Sequence, residues 1–289
     1  MAARERLVSS KSHTPETGSA NARLKIGALI PIRMTSERLP GKALKEICGR
    51  PVVHHLLDRV FASRHVAREN VVVCTTHDPA NDPLIRAVEA VGARTFRGSE
   101  DDIIDRFWRA VQTFGFDAFL QIDGDDPCSD PSYMDLNMDA LLADPGLDIV
   151  YGQGLPLGLA TKAIRSSALE KVWKFRLTDK NDTGFIYYFT RTGLCRTAVV
   201  TPTKPEHLNA EARLTLDYEQ DLRFFEELFR RLYRPAEVFG IDAICRLLSA
   251  QPELTQINSS VSDEYWARTK REALLEYRAP DGSKMKIEV

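Results

Sequence analysis

The chain has 289 residues, 43% of them hydrophobic, and a formal charge of −2 from 39 basic and 41 acidic side chains. That length buries a full core, and the near-neutral balance excludes a global field for nucleic acid or anionic lipid, so any recognition by charge is local. Apolar runs fall short of the ~18 residues that span a bilayer, and five scattered cysteines, an odd number with no C-x-x-C, read as reduced cytoplasmic thiols rather than disulfides or zinc ligands.

Residues 1–23 are polar and rich in small side chains, without the apolar centre of a secretory signal, and read as a flexible leader. "LKIGALI" (24–30) is expected to be a buried strand, and "PVVHHLLDRVFASR" (51–64) a helix with Val52, Val53, Leu56, Leu57, Val60 and Phe61 on one stripe. "NVVVCTT" (70–76) predicts a second strand, followed by a helix over about 81–91. Ser99 and Asp102 fit a capping pattern for the helix in "EDDIIDRFWRAVQTF". "DAFLQID" (117–123) predicts a strand, Asp130 and Pro131 open a helix to about Leu142, and "LDIVYG" starts another strand. Near-continuous apolar strands alternating with helices argue for an α/β fold whose parallel sheet is covered on both faces.

The second half is less regular. A helix near 166–175, strands near 184–189, 195–200 and 212–216, and a helix over 218–232 predict mixed strands added to the same sheet. From about Gln251 the chain turns polar and charged, as a tail or a partner-contacting arm would.

In open parallel sheets ligands sit beyond the carboxyl ends of the strands. "IPIRMTSERLPGK" (30–42) leaves the first strand there, with Arg33, Arg38 and Lys42 among Pro31, Pro40 and Gly41. Three cations on such a backbone suit a polyphosphate, although the stretch is neither a Walker loop nor G-x-G-x-x-G; the bland alternative is a solvated basic loop partly offset by Glu37. "QIDGDDP" leaves a later strand with Asp123, Asp125 and Asp126, and Asp217 follows "RLTL". Acidic residues beside glycine are ordinary turn chemistry, the preferred reading for Asp123 and Asp126. Asp217 stands where a helix N-cap is expected, and Asp130 is best explained as the cap before Pro131. His54 and His55 diverge by about 100 degrees on a helix, and His77 reads as a surface residue.

"IPIRMTSERLPGKAL" followed by "ICGRPVVHHLLDRV" resembles the opening signature of the cytidylyltransferases that make CMP-activated sugars, the acylneuraminate and 3-deoxy-manno-octulosonate enzymes, and most of all their spore-coat polysaccharide relatives. The likeness runs on through "FRGSEDDIIDRF", "DGDDPCSDP" and "LTLDYEQDL", over roughly residues 24–232. It implies a Rossmann-like mixed, mostly parallel sheet of the nucleotide-diphospho-sugar transferase kind. It also implies transfer of CMP from CTP to an acidic sugar or other anionic acceptor, with pyrophosphate released, in surface polysaccharide or related synthesis.

By the same likeness Arg33, Arg38 and Lys42 hold the triphosphate, and Ile32, Gly124, Ser99 and Asp101 lie along the nucleotide. Asp125 and Asp217 hold Mg²⁺; Arg33, Lys42 and Asp125 act in catalysis. Lys162, where relatives carry an acidic residue, is expected to receive the anionic acceptor; the bland alternative is an exposed lysine on a hairpin. Thr35 replaces a usual Gly, placing a side chain where backbone approaches phosphate; Ile32 replaces a usual Ala, and Thr183 stands near an expected His.

The implied organisation is a nucleotidyltransferase domain at 24–250, divided into a nucleotide-binding half (24–150) and an acceptor and dimerisation half (151–250), with a polar extension at 251–289. The protein is expected to be a cytoplasmic homodimer with no nucleic-acid partner and no membrane insertion. Two other readings stay open: a glycosyltransferase using a nucleotide sugar, and a non-catalytic nucleotide-binding relative.

Overall fold

A computed structural model describes residues 24–208 and 212–287. The leader expected at 1–23 lies outside the described residues. Strand β1 (Ile26–Pro31) leads through a short hairpin, β2 (Glu46–Ile47) and β3 (Arg50–Pro51), into helix α1 (Val52–Phe61). Alternation continues with β4 (Val71–Thr76), α2 (Asp82–Ala90), β5 (Arg94–Gly98), α3 (Ile103–Phe114), β6 (Ala118–Gln121) and α4 (Pro131–Ala143). Then come β7 (Ile149–Gly152), β8 (Lys162–Arg165), α5 (Ser166–Phe175), α6 (Tyr187–Thr190) and β9 (Thr197–Val200). The chain closes with α7 (Glu219–Leu232), α8 (Ile241–Ala250), α9 (Gln256–Ser259), α10 (Ser262–Glu272) and the hairpin β10 (Leu275–Arg278) and β11 (Lys284–Ile287).

Seven strands form one sheet in the order β5-β4-β1-β6-β8-β7-β9. β1 pairs in parallel with β4 and β6, β4 with β5, and β7 with β9. Strand β8 alone runs against its neighbours. Strand side chains alternate between the faces, so Ala28 and Ile30 meet α1, α2 and α4, while Leu29 faces the layer of α3, α5 and α6. Both faces are covered, which is why β1, β4 and β6 read as unbroken apolar runs instead of alternating ones. A third apolar cluster gathers α7 and α8 against Tyr133, Leu214 and Leu216.

Four expectations need correction. Residues 184–189 are not a strand: Gly184, at φ +78°, opens a turn in which its carbonyl accepts the N–H of Tyr187 at 2.9 Å, and α6 follows. Burial of Phe185, Tyr188 and Phe189 has the three-and-four spacing of a helix. Residues 212–216 are extended but join the sheet nowhere; a lone bridge links Arg213 to Leu157, and the N–H of Leu214 reaches the Leu157 carbonyl at 2.7 Å. Asp102, rather than Ser99, caps α3, accepting the Asp105 N–H at 2.9 Å, while Ser99 Oγ accepts the N–H of Asp102.

The fourth concerns the region after Gln251, which is folded up to Ile287. Leu275, Tyr277 and Ile287 are buried against α5 and α6, and the Tyr188 hydroxyl donates to the Glu276 carbonyl at 3.0 Å. The alternation in "LEYR" (275–278) is a strand signal masked by the charges around it.

Candidate active site

The carboxyl edge of the central strands opens into a cleft of about 390 Å³, within the size of small-molecule sites. Beyond Pro31 the chain stays tied to the sheet through the Ile32 N–H, which donates to the Cys74 carbonyl at 3.1 Å. The Met34 N–H donates to Asn81 Oδ1 at 2.9 Å, and Gly41, at φ +69°, turns the loop into a short 3-10 segment that starts at Lys42. Left-handed backbone of this kind favours glycine. Thr35 is exposed with ordinary φ and does not line the cleft, so the crowding expected of it is not seen.

Beyond β6, the N–H of Asp126 reaches the Asp123 carbonyl at 3.2 Å, which makes the turn that the acidic run suggests. A Cβ on Gly124 would overlap the Pro31 carbonyl and the Ile32 side chain, so only glycine lets this turn lie against the end of β1. The Asp125 carbonyl accepts the Leu216 N–H at 2.8 Å and brings the 212–217 segment alongside. Residues 92 positions apart in sequence thus meet: Lys42 Nζ donates to Asp125 Oδ2 at 2.9 Å and to Asp217 Oδ1 at 3.0 Å, and Arg38 also pairs with Asp217.

Asp217 is not the helix cap that its position suggests. Tyr218 is the N-cap residue of α7, and Asp221 Oδ2 accepts the N–H groups of Asp217 (2.9 Å) and Tyr218 (3.0 Å). This leaves the Asp217 carboxylate to the cations. Buried Arg213 grips it from behind at 3.1 Å and forks onto Asp221 at 2.9 and 3.2 Å, while Asn258 donates to Asp221 at 2.8 Å.

Electrostatics separate the acids. Burial alone would raise Asp217, but Lys42, Arg38 and Arg213 overcome it and hold the carboxyl at about 2. Asp125 is pushed up by burial, opposed by Lys42 and reinforced by Asp217 and Asp123. Asp126, buried next to two other acids, lies well above the ordinary carboxylate range. Burial also acts against Asp123, yet Lys162, donating at 2.6 Å, keeps its pKa lowered. Lys42 and Lys162 are penalised by burial, but their acidic partners win and raise both.

Of the residues expected along the nucleotide and acceptor, Ile32, Arg33, Arg38 and Lys42 line the cleft, and so do Gly124, Asp125, Lys162 and Asp217. Arg33 is turned away from the pair of aspartates toward Asp182 (2.6 Å) and Glu100 (3.6 Å). Ser99 and Asp101 are not on the cleft wall; Ser99 is spent on the start of α3, and the Asp101 carbonyl accepts the Asn181 N–H at 3.1 Å. The segment they belong to is held by buried Arg106, which donates to the carbonyls of Ser99 and Glu100 at 2.8 Å and itself lines the cleft. His77 is exposed, His54 donates to the Ala87 carbonyl, and His55 is buried against Ile47.

Sequence reasoning missed Arg106, Arg213, Asp221 and the cleft wall made by Tyr265, Trp266 and Arg268. Asp221 carried a signal, since an acid three residues after a helix N-cap is the capping-box spacing. Nothing local marks the others.

The family model for cytidylyltransferases matches residues 27–258. An uncharacterised protein of Methanocaldococcus jannaschii is 29% identical over 243 residues, covering 82% of this chain and 96% of its own. The spore coat polysaccharide biosynthesis protein SpsF of Bacillus subtilis is 27% identical, covering 78% and 94%. Among solved structures, a cytidylyltransferase from Leptospira borgpetersenii superposes with a TM-score of 0.73 at 24% identity, covering 81% of this chain and 97% of that one. CMP:2-keto-3-deoxy-manno-octonic acid synthetase complexed with CTP superposes at 0.56 and 19% identity, covering 72% and 100%. These two likenesses are of fold.

Proposed function

The chain belongs to the cytidylyltransferase family of nucleotidyltransferases, and from that premise we propose that its cleft transfers CMP from CTP to a small anionic acceptor for surface polysaccharide or related synthesis. The observation that carries the reading is the convergence of Asp125 and Asp217 on the Lys42 ammonium, with Arg38 beside them, at the carboxyl edge of the sheet. Cations that pair with carboxylates here are placed to exchange them for phosphate oxygens, which bind Arg and Lys at least as well.

In the proposed reaction an acceptor oxygen attacks the α-phosphorus; the new O–P bond forms as the bond to the β-phosphate bridge breaks, and pyrophosphate leaves. Lys42 and Arg38 hold the triphosphate in line and offset the charge gathering on the leaving group, and Arg33 extends the same hold toward Asp182. Lys162 receives the acceptor's anionic group, with Asp123 fixing its direction. An acceptor hydroxyl gives its proton to a carboxylate of this cluster or to water, whereas an already ionised acceptor needs no base.

The donor set fits Mg²⁺, which takes one or two carboxylates together with phosphate oxygens and water. Asp125 and Asp217 already share one cationic centre, the Lys42 ammonium, and Asp217 stays ionised. The ion, when bound, supplies charge neutralisation to the phosphoryl oxygens.

Pyrophosphate release is the test, measured with CTP, UTP, ATP and GTP against pooled acidic sugars, phospho-sugars and phosphonates. Release with CTP and an acidic acceptor is expected. Turnover of a nucleotide sugar without pyrophosphate would instead make the protein a glycosyltransferase, and CTP binding without turnover on any acceptor would make it a non-catalytic relative.

A further inference from the structure

Helix α10 lies beyond the 27–258 stretch that the family shares, yet it forms one wall of the cleft. Its residues Tyr265, Arg268, Thr269 and Glu272 recur at the i, i+3, i+4, i+7 spacing that normally turns apolar side chains to a core. Here the face is polar, looks into the cleft, and no side chain of the helix is fully buried. The β10–β11 hairpin behind it anchors the segment with Leu275, Tyr277 and Ile287, and the Tyr265 ring rests on the Arg213 guanidinium at 4.6 Å, so α10 is held in place without joining an apolar core.

The chemistry of that wall is specific. Arg268 Nε donates to Glu272 Oε1 at 2.6 Å, and its Nη2 stands 3.2 Å from Glu37 Oε2 on the loop of the triphosphate cations. With Arg271 also 3.8 Å from Glu272, two carboxylates balance two guanidinium groups, so the patch has no spare positive charge to draw a further anion. The same patch alternates donors and acceptors, the array that hydroxyl groups satisfy because each both gives and takes a hydrogen bond. Trp266, 48% exposed, adds a flat apolar plane on the same wall.

We infer that α10 is the specificity-determining wall for the acceptor and selects a polyhydroxylated acid: the Arg268–Glu272 pair binds its hydroxyls and Trp266 covers its carbon face. The inference rests on the nucleotidyl-transfer reading, in which Lys162 takes the acid group and the α10 wall takes the polyol.

Steady-state pyrophosphate release from CTP by the full chain tests it, with 3-deoxy-manno-octulosonate and 2-hydroxyethylphosphonate as acceptors. The unmodified protein is expected to favour the polyol acid in kcat/KM by about 10-fold or more. Arg268→Gln and Trp266→Ala are each expected to raise the KM for the polyol acid by about 10-fold, with the KM for CTP changed by less than about 2-fold and the preference over the short phosphonate largely lost. Because α10 buries no side chain, the variants should keep the melting temperature of the parent.

Trp266 is the one of three tryptophans that lines the cleft, Trp108 and Trp173 being packed on each other, so its fluorescence reports polyol-acid binding directly. An unchanged acceptor KM in both variants, a parallel rise in the KM for CTP, or a parent preference for the short phosphonate overturns the inference and leaves nucleotidyl transfer standing. No pyrophosphate from the parent with either acceptor or the wider pool overturns both.

Discussion

Replacing Gly124 with alanine tests how tightly the acidic turn must lie against β1. A methyl at that position falls well inside the 3.0 Å limit of real Cβ contacts, against the Pro31 carbonyl and Ile32. One obstacle is backbone of a strand buried in the sheet, so the turn, rather than the strand, must retreat by about 1 Å to regain ordinary contact. Asp125 is the next residue, and its retreat lengthens the 2.9 Å contact with Lys42 and parts it from Asp217.

A misplacement of about 1 Å at a reacting centre costs roughly 100-fold in rate, and overpacking of this size costs about 1–3 kcal/mol of stability. The assay is pyrophosphate release at saturating CTP, with urea unfolding of the same preparation. Activity within about 3-fold of the parent, from a variant that also unfolds at the parent's midpoint, would refute the claim that this glycine sets the aspartate pair.

Asp221→Asn keeps the shape but removes the charge opposite buried Arg213, and a loss of about 3 kcal/mol in urea unfolding is expected together with a fall in activity, because Arg213 also braces Asp217; a change below about 0.5 kcal/mol contradicts the brace. Of the five cysteines only Cys48 is exposed, while burial pushes the thiols of Cys74, Cys128 and Cys195 up to about 12 and that of Cys245 to about 11. A thiol reagent at pH 8 should therefore titrate one group in the native protein and five after denaturation. Burial lowers His55 below its ordinary 6.5, against an opposing hydrogen bond that its ring donates to the Ile47 carbonyl and near Arg50, Asp58 and Arg59. The unfolded chain then binds the extra proton first, so this contribution is complete above pH 6.5 and is lost as the pH falls below it. His55→Gln should flatten the decline in urea midpoint between pH 7 and 5; an equally steep decline contradicts the assignment.

The first half of the fold was legible because β1, β4 and β6 are buried on both faces, which writes itself as unbroken apolar runs between helices of helical period. The second half was less so. "FIYYF" satisfies strand and helix composition alike, and only the turn at Gly184 and the burial of Phe185, Tyr188 and Phe189 decide for a helix. In the site, residues tied to strand ends were readable, and Arg33, Arg38, Lys42, Asp125, Lys162 and Asp217 all reach one cleft. Ser99 and Asp101 do not, because α3 needs Ser99 for its own start. Helix α10 escaped notice because its pairing of Arg268 with Glu37 spans 231 residues and leaves no local pattern, and Arg213 because its partners Asp217 and Asp221, four and eight residues on, lie across an irregular segment where that spacing has no helical meaning.

Strand β8 enters the sheet against the direction of β6 and β7, so its first residue, Lys162, meets Gln121 and Tyr151 at the edge where the other strands end. The connection that precedes this strand, 153–161, consequently hangs over the same rim, with Leu157 already on the wall. Variants that reshape that span would re-tailor what the rim admits, provided Leu157 keeps the carbonyl that holds the Leu214 N–H and with it the segment leading to Asp217. One reversed strand thus hangs substrate choice on a loop pinned to the apparatus that handles the nucleotide at a single point of the chain.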